Sequence, residues 1–118
     1  MKHTQPLWRM EAAFKLSEFT KREFGLSPAD ACAELRDDVL TIRLTQVLTP
    51  VGHVVAQSEQ GAEALQSVYS ILHEVHQKTM ENLISRIAGA AVQQSQIKMD
   101  LAHEDIVIWF RLNIPTQE

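Results

Sequence analysis

The chain has 118 residues, enough for one domain with a modest core. Apolar residues make up 45% of it, and Gly and Pro number only four each, which excludes global disorder. The net charge is −4, and Arg9, Lys15, Lys21 and Arg22 are interleaved with Glu11, Glu18 and Glu23, so no basic stripe points to nucleic acid.

Residues 1–6 read as a short flexible tail. From Leu7 to Phe24 the spacing predicts a helix that is apolar on two sides. Leu7, Met10, Ala13 and Phe14 form one stripe; Trp8, Ala12, Leu16 and Phe19 lie nearly opposite. One stripe belongs to the core, and the other is either ordinary exposed surface or a contact with another subunit or partner. Gly25 is a candidate helix C-cap and Pro28 stops continuation. Ala29 to Arg36 and Val39 to Val47 alternate around Asp37-Asp38, which reads as a β-hairpin whose first strand is poor in β-formers.

Thr49 and Pro50 open a long helix that runs to Gly89, with Thr as N-cap and Pro at the first helical position. Gly52 stands where a capping box would place Glu or Gln. Val51, Val54, Val55, Ala62, Leu65, Val68, Tyr69, Leu72, Val75, Met80, Leu83 and Ile87 share one face and keep phase across Gly61. Val92 to Asp100 is a third strand. Ile106 to Leu112 is a fourth, with Ile106, Ile108, Phe110 and Leu112 on one face and Val107, Trp109 and Arg111 on the other. Residues 113–118 read as frayed. The order α-β-β-α-β-β implies an α+β fold in one domain over 1–118: a four-stranded, mainly antiparallel sheet with a long helix and a shorter N-terminal one.

About 39 residues at 1.5 Å each make a rod near 58 Å. A compact domain of this size is only about 35 Å across. The helix therefore bends or breaks near Gly61, or a second chain buries part of its stripe, and a symmetric homodimer is the expected solution. Ser58 and Gly61 are small and would allow close approach of a backbone, or Gly61 marks a kink. Leu72, His76 and Thr79 lie on the same face. With Trp8 and Phe19 from the first helix and Trp109 on the last strand, they form the expected interface set.

Catalytic and metal signatures are weak. His73 and His76 stand i, i+3 around Glu74, not at the i, i+4 spacing of metalloprotease helices. Asp37-Asp38 and the group Asp100, Glu104, Asp105 fit turns. Cys32 has no base beside it; as the one cysteine it excludes an intramolecular disulfide framework and fits a reducing compartment. Gly25, Gly52, Gly61 and Gly89 are isolated, so no phosphate-cradling loop is formed. No catalytic residue, metal ligand or cofactor site is assigned. The start, Met1 to Pro6, lacks a signal-peptide core and no run suits a membrane span, so a cytoplasmic location is expected.

The run Gly25-Leu26-Ser27-Pro28, the strand end Thr41-Ile42-Arg43-Leu44, and Val47-Leu48-Thr49-Pro50 leading through Ser58-Glu59-Gln60-Gly61 together resemble the MpsC-like family. Asp100 and the close Ile106-Val107-Ile108-Trp109-Phe110-Arg111-Leu112 fit as well. The resemblance spans roughly Phe14 to Leu112, and its marks are Gly25, Pro28, Leu48, Thr49, Pro50, Gly61 and Asp100. It departs from the family pattern at Ser27, where a second Gly is common, and at Gly52, where an acidic residue is. These small bacterial proteins, long known only as a domain of unknown function, are named for a sodium-translocating, membrane-potential-generating system. Its membrane components are linked to inorganic-carbon uptake. The resemblance implies a non-catalytic accessory or regulatory protein of sodium-linked or bicarbonate transport, working with a membrane transport component. The competing reading is a small-ligand binder or enzyme with a pocket at a dimer seam near His76 and Trp109.

Overall fold

The computed structural model describes residues 5–114. The elements are α1 (Trp8–Glu23), β1 (Asp30–Arg36), β2 (Val39–Thr45), α2 (Pro50–Val55), α3 (Glu59–Ala88), β3 (Val92–Asp100) and β4 (Asp105–Leu112). Residues 1–4 and 115–118 of the two expected end segments lie outside the described residues. Gln5 hydrogen-bonds the backbone of Leu35, and Asn113 N–H donates to Ala91 O at 2.8 Å.

The four strands form one antiparallel sheet in the order β1-β2-β4-β3, so the fold is α+β. Alternation decides which side each strand buries. Leu40, Ile42 and Leu44 of β2, with Ile106, Ile108, Phe110 and Leu112 of β4, are fully buried or nearly so under the helices. Ala12, Leu16 and Phe19 of α1, and Met80 and Ile84 of α3, complete that core. Both helices lie on this one face. On the opposite face, carrying Thr41, Arg43, Val107 and Trp109, no helix lies among the described residues. β1, despite its poor propensity, pairs with β2 along all seven residues because Ala31, Ala33 and Leu35 join the edge of the core.

The segment from Thr49 to Gly89 corrects the expectation of one continuous helix: it folds as α2 and α3, broken at residues 56–58. Both helices begin the same way. Thr49 Oγ1 accepts from Gly52 N–H at 3.1 Å, and Ser58 Oγ accepts from Gly61 N–H at 2.9 Å. Each hydroxyl satisfies one of the amides a helix N-terminus leaves unpaired. Gly61 lies so close to the end of α2 that a Cβ there would stand 1.9 Å from the Val55 carbonyl oxygen. The break is therefore held by a backbone contact only glycine permits. α3 ends at Gly89, whose φ of 69° is the left-handed cap conformation.

At 30 residues α3 is still about 45 Å long, against molecular extents of 48 × 29 × 22 Å. Its C-terminal half sits on the sheet through Met80, Leu83, Ile84 and Ile87. In the N-terminal half only Leu65 and Tyr69 of the expected stripe pack against the core. Val68 and Val75 point outward, as do Val51 and Val54 of α2, which buries no residue.

Candidate interaction surface

α3 carries two apolar faces, and the second defines the site. Ala64, Val68, Ile71 and Val75 recur at alternating steps of four and three, the spacing of a helix–helix seam. Val68, Ile71 and Val75 are 48, 56 and 70% exposed. Three branched apolar side chains this open on one helix form an exposed apolar stripe. α2 adds Val51 and Val54, both more than two-thirds exposed.

The residues expected at an interface are dispersed by the fold. Leu72 is half-buried and Thr79 exposed, and both border the seam. Trp8 packs against the core, Phe19 is 5% exposed and Ser58 serves as the α3 cap. His76 occupies an aromatic pocket of its own chain, with ring centroids 5.7 Å from Phe19 and 5.4 Å from Phe24. Its Nδ1–H donates to Leu72 O at 3.0 Å, and its Nε2 lies 3.6 Å from Glu23 Oε1. Trp109 is half-buried on the helix-free face of the sheet. His76 lies on the other side, so the two cannot line one pocket within a protomer.

His73 and His76 diverge. His73 turns to β3, where its Nε2 is 2.9 Å from Ser95 Oγ, while Ser95 donates to Glu81 Oε2 at 2.6 Å and Gln77 donates to the same oxygen at 2.9 Å. With its one hydrogen committed to Glu81, Ser95 can only accept from His73. This is the reverse of an activated nucleophile, whose hydrogen must point at the base. Burial holds the His73 pKa below the ordinary histidine value, although Glu81 and Glu74 pull it upward. The cluster therefore ties α3 to β3. Among the described residues no three His, Cys, Asp or Glu side chains converge as a metal site. Cys32 is exposed and unpaired by disulfide.

On the helix-free face Arg43 Nη1 donates to Asp105 Oδ2 at 2.8 Å and to Asp100 Oδ2 at 3.2 Å. Asp105 is nearly buried and also accepts Gln46 N–H at 2.9 Å. Arg43 and then His103, each by a hydrogen bond, hold the Asp100 carboxyl below the usual carboxylate range. His53 of α2 meets Glu104 in the β3–β4 turn, so the turn that follows Asp100 and the helix entered by Leu48-Thr49-Pro50 meet at one corner. Gly25, with φ of 70°, sits in the link from α1 to Pro28 and β1. The sequence reading missed this Arg43 cluster because it needs the β2–β4 register, which alternation within one strand does not reveal. The second seam on α3 has a heptad spacing in the sequence, but the single stripe read from helical phase takes in Val68 and Val75 and leaves out Ala64 and Ile71.

The structure is a small α+β fold with helices on one side of its sheet and, among the described residues, an exposed apolar stripe on α3. The chain belongs to the MpsC family: residues 9–114 match the family model described as Na+-translocating membrane potential-generating system (MpsC). Comparison with curated proteins and with solved structures returned no match. No helix among the described residues is long and apolar enough to cross a membrane.

Proposed function

We propose that this chain is a cytoplasmic, non-catalytic accessory or regulatory protein of a sodium-linked membrane-potential or bicarbonate transport system. It acts as a homodimer that docks on a membrane component. Family membership supports the link to a sodium-translocating system. The observation that carries the assembly is the exposed seam of Val68, Ile71 and Val75. Two copies packed antiparallel along α3 would bury that seam on both chains, an isologous contact that closes after two subunits. Leu72 and Thr79 would then flank the axis.

Light scattering on the purified protein tests the assembly. Wild type elutes as a dimer at micromolar concentration, and Ile71→Glu, which places a carboxylate in the seam, elutes as a folded monomer. A monomeric wild type would overturn the dimer. The physiological part is tested by deleting the gene and following membrane potential with a voltage-sensitive dye on sodium addition. Wild type restores a lost response and Ile71→Glu does not; an unchanged response in the deletion strain would remove the transport assignment.

A further inference from the structure

β1 is an edge of the sheet, and α1 runs beside it with a groove of about 390 Å³ between them. The apolar wall of this groove is Met10 and Phe14, 60 and 59% exposed, facing the small side chains of Ala31 and Ala33. Backbone groups on a strand point alternately to its two neighbours. The Leu35 N–H and C=O point away from β2, because both are taken by the Gln5 side-chain amide, at 2.7 and 2.9 Å. Ala33 and Ala31 share that parity, so their outward groups line the same open edge. Among the described residues, only the Ala31 N–H of these is occupied, by the Asp30 carboxylate at 2.8 Å. Gln5 thus shows that the edge accepts a strand-like amide, and its own side chain covers one end of it.

The charged residues that line the groove are two cations, Arg9 and Lys21, and one carboxylate, Asp30. Arg9 lines one end and Lys21 the other, and neither forms an ion pair among the described residues. The Arg9 Nε is buried with no hydrogen-bond partner there. We infer that the α1–β1 groove binds an extended acidic peptide segment of a partner protein, added beside β1 as a fifth strand. Its backbone pairs with Ala31 and Ala33, alternate apolar side chains seat between Met10 and Phe14, and flanking carboxylates meet Arg9 and Lys21. Main-chain bonds give affinity in such strand addition, and pockets for alternate side chains give selectivity. The site is separate from the α3 seam, so it stands or falls independently of the dimer.

The test uses two synthetic peptides with the same alternation, acetyl-Glu-Val-Thr-Val-Asp-amide and acetyl-Lys-Val-Thr-Val-Lys-amide, titrated into the ¹⁵N-labelled full chain. The acidic peptide is expected to shift the Ala31 and Ala33 amides saturably, and the basic one to bind at least tenfold more weakly. Arg9→Glu with Lys21→Glu should abolish that preference. Gln5→Ala should tighten binding by exposing the Leu35 groups. Three outcomes overturn the proposal: no saturable shift up to millimolar peptide, equal binding of both peptides, or shifts that map to α3 or to self-association of β1. Because Gln5→Ala and the charge reversals alter exposed or half-exposed groups, the wild-type spectrum of the core serves as the folding control.

Discussion

Replacing Gly61 by alanine separates a broken helix from a continuous one by the sign of its effect. In the middle of an unbroken helix, Gly→Ala adds about 1 kcal/mol of stability. Here the new Cβ would stand 1.9 Å from the Val55 oxygen and 2.9 Å from its carbonyl carbon. Ordinary close carbon–oxygen contacts begin near 3.3 Å, so the end of α2 must retreat by about 1.4 Å. Forcing atoms into occupied space costs about 1–3 kcal/mol, and a backbone carbonyl yields less readily than a side-chain tip. A net loss of about 1–2 kcal/mol is expected, which lowers Tm by roughly 3–10 °C in a chain of this size. The loss should concentrate in α2, which buries no residue and is held by few contacts. Thermal melting gives the sign. Hydrogen exchange gives the location, with faster exchange expected at the His53 and Ala56 amides that now donate to Thr49 and Gly52. A rise in Tm of several degrees would refute the broken-helix geometry.

The other predictions test the core, the half-buried His73 and the arginine cluster. Ile84→Ala should cost about 2–5 kcal/mol in urea denaturation, whereas Val75→Ala, at a position 70% exposed, should stay within about 0.5 kcal/mol in the monomeric Ile71→Glu background. Equal effects would mean that the buried face of α3 is misassigned. Because the folded His73 pKa is depressed, the unfolded chain binds the extra proton first. Stability should therefore fall as pH drops through the ordinary histidine value of about 6.5, and level off below the folded value. His73→Gln should flatten that part of the profile measured between pH 5 and 8. Arg43→Ala should let the Asp100 pKa climb back toward the ordinary carboxylate range in a carboxyl-carbon NMR titration. It should also destabilise the fold, since Asp105 keeps its nearly buried carboxylate without the cation.

Much of the architecture is legible in the sequence because burial on one face leaves a period-two or period-3.6 trace. Ile106 to Leu112 reads as a strand for that reason, and the two-sided pattern of α1 resolves into a buried Ala12–Leu16–Phe19 face and an opposite stripe in which Leu7, Met10 and Phe14 are open but Ala13 is buried. The break before α3 leaves no such trace, since the apolar phase carries through it. Its mark is subtler: Thr49-Pro50-Val51-Gly52 and Ser58-Glu59-Gln60-Gly61 both place a hydroxyl three residues before a glycine, and both are N-caps. At the candidate surface, Leu72 and Thr79 fall beside the seam, whereas His76 and Phe19 turn inward toward each other. Helical phase places a residue on a side of the rod; it does not say which neighbouring element comes to cover that side.

The placement of β4 bears on how the fold is acquired. Each hairpin pairs strands close in the chain, but the β2–β4 ladder joins strands separated by both α2 and α3. Loop closure makes that pairing the slow, non-local step of folding. During synthesis the β1–β2 hairpin and α1 emerge long before the strand that completes their core. Until β4 inserts between β2 and β3, Leu40, Ile42 and Leu44 have a helix above them and a bare strand edge beside them. The nascent chain is then most open to strand exchange or chaperone capture, and substitutions in β4 should reduce yield in the cell more than their equilibrium cost suggests.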